Sequence, residues 1–77
     1  MVTEHVDRQH LAAARLWAAT RFPYLATALF ASPVVERPGI GTVAVDQEWR
    51  LYVDPAVANR WSVPQLGSTL VHHAALP

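Results

Sequence analysis

The rhythm of apolar and polar positions divides the chain into a helical first third, a strand-rich middle and a helical end. Up to Arg21 the chain is rich in Ala, Leu, Gln and Arg, all good helix formers. Val6, His10, Ala13, Trp17 and Thr20 recur at helical spacing and predict one face of a first helix. Thr3 is its candidate cap, with Glu4 and Asp7 favourable in the first turn. Pro23 disfavours the α region at Phe22, so a kink or a fresh start is expected there. Tyr24 to Ala31 reads as a short apolar helix that Ser32-Pro33 ends.

The rhythm then changes. Val34-Val35-Glu36 reads as a short strand, and Arg37-Pro38-Gly39-Ile40-Gly41 as a turn-rich connection. Thr42-Val43-Ala44-Val45 and Arg50-Leu51-Tyr52-Val53 are both strand-like, and Asp46-Gln47-Glu48-Trp49 between them suits a hairpin loop. Val43 and Val45 would share a face, as would Leu51 and Val53. Asp54-Pro55 is a cap followed by a proline at the first helical position, opening a short helix through Ala58 or Asn59. Ser62-Val63-Pro64-Gln65 is a capping box, so a last helix should run from there toward Leu76. Gly67 inside that helix costs roughly 1 kcal/mol against Ala. Leu66, Leu70 and His73 form one stripe of it, and Thr69, His72 and Leu76 another. The fold class is α+β: N-terminal helices, a short β-hairpin or small sheet, and a C-terminal helix. There is no repeat, linker or low-complexity tract, and residues 1–77 read as a single domain.

Composition adds a tension. Apolar residues make up 52% of the 77 and charged residues only 16%. A chain this short buries about 60% of its unfolded surface. Either the core is dense, or an apolar face is left for something else to cover. Such a face is expected near Leu70 and Leu76 or along a free edge of the strand pair, where it would favour self-association. The formal net charge is zero, and Arg8, Arg15, Arg21, Arg37, Arg50 and Arg60 are scattered. That leaves no electrostatic footprint for nucleic acid or an anionic membrane. The absence of cysteine excludes disulfides, thiolate zinc sites and thiol nucleophiles. No run approaches a bilayer span, and Met1-Val2-Thr3-Glu4-His5 has no apolar signal core, so the expected location is cytoplasmic.

The candidate chemistry lies in Leu70-Val71-His72-His73-Ala74-Ala75-Leu76-Pro77. An H-E-x-x-H helix places two imidazoles at i and i+4 on one face, with the Glu beside them as general base. Here His72 is followed by His73, and Leu76 stands at the second-His position. Adjacent helical residues point about 100° apart, so His72 and His73 do not face each other as an i, i+4 pair does. The simplest reading is a pair of partly exposed histidines. His5 and His10 read as surface or helix-edge residues. Glu36, Asp46, Glu48 and Asp54 each fit turn, cap or solvent roles. Trp17, Trp49, Trp61, Tyr24 and Tyr52 read as core or patch aromatics, and Ser62 as a cap rather than a nucleophile.

Several stretches together resemble a known family. Arg15-Leu16-Trp17-Ala18-Ala19 and Arg21-Phe22-Pro23-Tyr24-Leu25-Ala26-Thr27-Ala28-Leu29-Phe30 look like the start of bacterial putative metallopeptidase domains, which precede a von Willebrand A-like domain. Thr42-Val43-Ala44-Val45-Asp46 through Trp49-Arg50-Leu51-Tyr52-Val53-Asp54-Pro55 is similar to that family's strand pair, and Trp61-Ser62-Val63-Pro64-Gln65-Leu66 to the approach to its active-site helix. The likeness covers roughly Leu11 to His72 and lies in the whole pattern. It implies a zincin-like hydrolase fold with a zinc cofactor, and a von Willebrand A-like domain or another protein as partner. His72 matches the first His of the family's motif, while His73 and Leu76 depart from its Glu and second His.

The expectation is therefore the N-terminal part of a zinc metallopeptidase-like domain, truncated or degenerate, without hydrolytic activity as given. It has no general base at the motif position and too few ligands. No catalytic or cofactor-binding residue is assigned. Any zinc would be held weakly by His72 or His73. The alternative is a small protein-binding or scaffolding module that docks a partner through an apolar face. A truncated gene product and a functional short protein both remain open.

Overall fold

The computed structural model describes residues 4–75. Helix α1 spans Arg8–Arg21, followed by a 3-10 turn at Pro23–Leu25 and helix α2 at Ala26–Ala31. Strands β1 (Val34–Glu36), β2 (Val43–Val45) and β3 (Leu51–Val53) form the middle, and helices α3 (Pro55–Ala58) and α4 (Val63–Ala75) the end. Helices plus a small sheet agree with the α+β expectation. No helix among the described residues is long and apolar enough to cross a membrane.

Helix α1 starts later than its composition suggests. Thr3, the expected cap, lies outside the described residues, and the observed cap is Asp7, whose carboxylate accepts from the backbone of Gln9 and His10 at 3.0 and 3.1 Å. The reason is tertiary. Val6 is buried in the core, and the Glu36 carboxylate takes its N–H at 2.6 Å. The Asn59 side chain accepts the Asp7 N–H at 2.8 Å and donates to Glu4 and the His5 carbonyl. Residues 4–7 are thereby held as an extended strap.

The buried face of α1 also differs from the predicted one. Leu11, Ala14 and Ala18 are buried, while Ala13 and Thr20 are exposed and His10 and Trp17 only half-buried. Small residues win that face because α4 comes close. A Cβ built on Gly67 would meet Trp17 Cε3 at 2.4 Å and the Ala14 carbonyl at 3.1 Å. Glycine at 67 gives up helix propensity for this approach.

Pro23 restarts the helical region as expected, with Phe22 at φ −131° and ψ 73°. Ser62 and Gln65 form the reciprocal capping box, N–H to side-chain oxygen at 3.0 and 3.2 Å. The stripe Leu66–Leu70 is fully buried. Leu70 therefore does not contribute the open apolar face expected there, and Leu76 lies outside the described residues. Among the described residues the large exposed apolar side chains are Leu16, Tyr24, Phe30, Ile40 and Trp49.

The sheet order is β1-β3-β2. The β2–β3 hairpin pairs Val43 with Val53 and Val45 with Leu51, as the alternation predicts. The short strand expected at Val34-Val35-Glu36 is β1, whose partner the sequence left unassigned; it runs parallel to β3, with Val34 beside Leu51 and Glu36 beside Val53. Val43, Leu51 and Val53 are buried, and β2 packs on α4. Leu11, Leu25, Leu29, Leu66 and Leu70 complete the core from the helix side. Each of the large side chains among these contributes about 1.5–3 kcal/mol by leaving water.

Candidate functional site

Helix α4 carries the two candidate metal ligands. His72 is exposed and His73 half-buried at the end of the Leu66–Leu70 stripe. Their ring centroids lie 5.4 Å apart with planes 75° to each other, an edge contact between neighbours that diverge around the helix. Leu76, the residue at the second-His position, lies outside the described residues.

The other histidines go elsewhere. His10 Nε2 lies 2.6 Å from the Trp61 carbonyl and ties the start of α1 to the approach to α4. His5 Nδ1 lies 3.2 Å from Glu36 at the exposed strap.

Three of the four candidate carboxylates are held by several donors, and the fourth, Glu48, is exposed and pairs with Arg50 Nη2 at 3.2 Å. Asp54 is buried. One oxygen caps α3 through the Ala56 N–H at 3.1 Å, and the other accepts from Gly39 and Gly41 at 3.1 and 2.9 Å. Gly39 and Gly41 both have positive φ, 93° and 73°, which turns their N–H groups toward this one oxygen. These N–H donors, Gly41 first, hold the Asp54 carboxyl below its ordinary value of 3.8.

Asp46 is the hub of the hairpin loop. It accepts from the Glu48 and Arg50 N–H groups at 2.9 Å each, from Arg50 Nε at 2.6 Å and from the Tyr52 hydroxyl at 2.8 Å. The Arg50 backbone N–H has the largest effect, and together these donors hold Asp46 well below the usual carboxylate range. The Val6 N–H and then His5 lower Glu36 in the same way. These are structural carboxylates, each consumed in fixing a loop or strap.

The sequence reading recognised Asp54 as a cap and missed its hold on the glycine loop. The signal was there in Gly39-Ile40-Gly41 upstream of Asp54-Pro55. The Asp46 hub was missed as well, although Asp46 stands four residues before Arg50 and six before Tyr52.

The donor set can be tested against a zinc ion. Zinc needs three or four N, S or O donors converging within about 2.0–2.3 Å. The described residues contain no group of three His, Cys, Asp or Glu side chains that could hold a metal ion. An adjacent, diverging His pair with no carboxylate beside it does not fit the ion, and no step is derived through one.

One position of the hairpin loop departs from the residue type its turn favours. Trp49 N–H donates to the Asp46 carbonyl at 3.1 Å, closing a turn, and Trp49 itself adopts φ 63° before Arg50 resumes the ladder. A three-residue hairpin of this type asks for glycine at that position. Here a tryptophan stands in the left-handed region, partly exposed beside Tyr24 and Pro33 in an open groove.

A family model described as a putative metallopeptidase domain matches residues 4–75. No curated protein and no solved structure matches the chain.

Proposed function

Because the chain belongs to the putative metallopeptidase domain family, we propose that it supplies the helix-and-sheet scaffold of a zincin-like domain whose own residues do not hydrolyse peptide bonds. One observation carries this reading. At the turn of α4 where an H-E-x-x-H helix sets its general base, the chain has His73 beside His72. Imidazole at that position adds a donor that points away from its neighbour, and it removes the carboxylate that would take a proton from a metal-bound water.

The test is a hydrolysis assay on casein and on peptide libraries, with and without added zinc. Activity no higher than that of a heat-treated sample is expected. Zinc-dependent turnover that His72→Ala abolishes would overturn the proposal. Calorimetry with zinc alone supplies a second measurement, with a weak isotherm expected through His72 or His73. A tight one-to-one complex that survives His72→Ala and His73→Ala together would place the ligands elsewhere.

A second reading is a docking module for a protein partner, such as a von Willebrand A-like domain, or for a second copy of the chain. It is supported by the exposure of Leu16 and Phe30, 61% and 51%, on the outer sides of α1 and α2. Sedimentation of the chain alone across a hundredfold concentration range tests the second-copy form. A monomer throughout would remove that form.

A further inference from the structure

Two exposed aromatic side chains, distant in sequence, line the same open groove. Tyr24 belongs to the 3-10 turn and Trp49 to the hairpin loop, and with Thr27, Ala28, Ser32 and Glu48 they border a space of about 440 Å³. Neither is part of the hydrophobic core, and Tyr24 is 77% exposed. Phe22 meets the Tyr24 ring edge-on, with centroids 6.4 Å apart, and leaves most of that ring open. Trp49 holds φ 63°, which glycine adopts without strain. A bulky side chain in that conformation costs stability, and such costs gather at functional positions. A groove of this size, with apolar and aromatic walls and a few polar groups, has the dimensions of a small-molecule site.

Charge narrows the class of ligand. Among the described residues that line the groove, Glu48 alone is charged. Arg15 lines a separate small cavity. Glu48 pairs with Arg50 Nη2 at 3.2 Å, while Arg50 Nε lies 2.6 Å from Asp46. Two carboxylates thus share one guanidinium, and the loop carries a net negative charge. The Glu48 side chain is 74% exposed, so its pair with Arg50 is weak and leaves the carboxylate able to face a second cation.

We propose that the groove between α2 and the 46–50 hairpin loop binds a small quaternary ammonium compound, its cationic head on Trp49 and Tyr24 and beside the Glu48 carboxylate. The faces of indole and phenol rings are negative and attract a cation, indole most strongly. A primary ammonium carries three donors that need acceptors. A quaternary head carries none, which suits walls made mostly of carbon. Glu48 supplies the counter-charge at the rim, and no cation lines the groove to hold an anionic ligand. This assignment is independent of the metallopeptidase reading, since it uses no residue of the His72–His73 turn.

The experiment is an amide-resolved NMR titration of the full chain with choline and, in parallel, with 3,3-dimethylbutan-1-ol. The two have the same shape, and the charged nitrogen of choline is carbon in the alcohol. Shifts are expected at Tyr24, Thr27, Ser32, Glu48 and Trp49. Choline should bind at least about fivefold more tightly than the alcohol, the scale of cation–π attraction at two partly exposed rings. Tyr24→Leu keeps apolar area and removes a ring, so the preference for choline should shrink. Glu48→Gln should weaken choline and leave the alcohol unchanged.

Equal affinity for choline and the alcohol would overturn the proposal, as would an unshifted groove. A full preference for choline in Tyr24→Leu, or unchanged choline binding by Glu48→Gln, would do the same. Both substitutions fall at exposed positions, and if one fails to fold, the other and the comparison in the unmodified chain still decide. A trimethyllysine peptide that binds more than about tenfold more tightly than choline would assign the groove to a protein partner and overturn the small-ligand assignment. Shifts at the groove on simple dilution, with no ligand added, would place a second copy there and overturn it too.

Discussion

Replacing Gly67 by alanine sets two known effects against each other. Helix propensity favours Ala in the interior of α4 by about 1 kcal/mol. Packing opposes it. The new Cβ would stand 2.4 Å from Trp17 Cε3 and 3.1 Å from the Ala14 carbonyl, against an ordinary contact near 3.4–4 Å. The backbone oxygen belongs to α1 and cannot move alone, so the indole must shift by about an ångström or α4 must back away. The indole is not free to shift. It packs against the core, and the Arg21 guanidinium lies over its ring at 4.1 Å from the centroid. Overpacking of this kind costs about 1–3 kcal/mol. The helix contact it disturbs carries Leu66 and Leu70, so the upper end of that range applies. The net expectation is a loss of about 1–2 kcal/mol. In a domain this small that lowers Tm by roughly 5–15 °C. Urea unfolding followed by far-UV circular dichroism measures it without relying on tryptophan emission. The control is the same substitution in a Trp17→Leu background. Leu has no atom at the Cε3 position, so Gly67→Ala should there be neutral or stabilising, a coupling of at least about 1 kcal/mol. A Gly67→Ala chain as stable as the parent would refute the close-approach argument. An identical loss in both backgrounds would refute the role given to Trp17.

Trp49→Gly should leave stability unchanged or raise it by up to about 1 kcal/mol, because a left-handed non-glycine residue costs that order of energy; a fall of more than about 1 kcal/mol in urea unfolding would show that the indole supports the fold. Ser62→Ala removes one half of a capping box and should cost about 1 kcal/mol, read as a lower urea midpoint with an unchanged slope; no change would mean that α4 starts without the cap. Asp54, Asp46 and Glu36 all titrate lower in the folded chain than unfolded, so the unfolded state takes up more protons in acid and stability rises with pH there. Their stabilisation is fully present above the ordinary carboxylate values of 3.8 and 4.5 and is lost as pH falls below them. Asp54→Asn should therefore flatten the acid limb of a Tm-against-pH profile, and an unchanged limb would remove Asp54 from this account.

The elements that the sequence made legible are those with local causes. Ser62 and Gln65 form a capping box whichever tertiary structure surrounds them, and Asp54-Pro55 opens a helix in the same way. Pro23 acts on Phe22 through sterics alone. The alternation of Val43, Val45, Leu51 and Val53 fixes which sides are buried in the hairpin. What stayed hidden depends on residues distant in the chain. Asp7 caps α1 because Glu36 and Asn59 keep the strap before it extended. Ala14 and Ala18, rather than Ala13 and Thr20, face inward because Gly67 lets α4 approach that side. The two roles of Asp54 need a loop from fifteen residues upstream to fold back over it. At the candidate site, the sequence located His72 and His73 and their departure from the motif. The left-handed backbone of Trp49 stayed hidden, because a tryptophan gives no local sign of a position that glycine usually fills.

The clamp made by Asn59 also has a consequence for the order in which the chain assembles. Asp7 and Asn59 are 52 residues apart, and His10 and Trp61 are 51 apart. Closing loops of that length costs conformational entropy before any contact rewards it, which slows folding. On a translating ribosome α1 emerges before α4, and it meets chiefly the 3-10 turn and α2 until α4, its most extensive packing partner, has been made. Until then part of the Leu11–Ala14–Ala18 face stays uncovered, the kind of surface chaperones bind. The strap before α1 takes its native form only once Asn59 and Trp61 have been made.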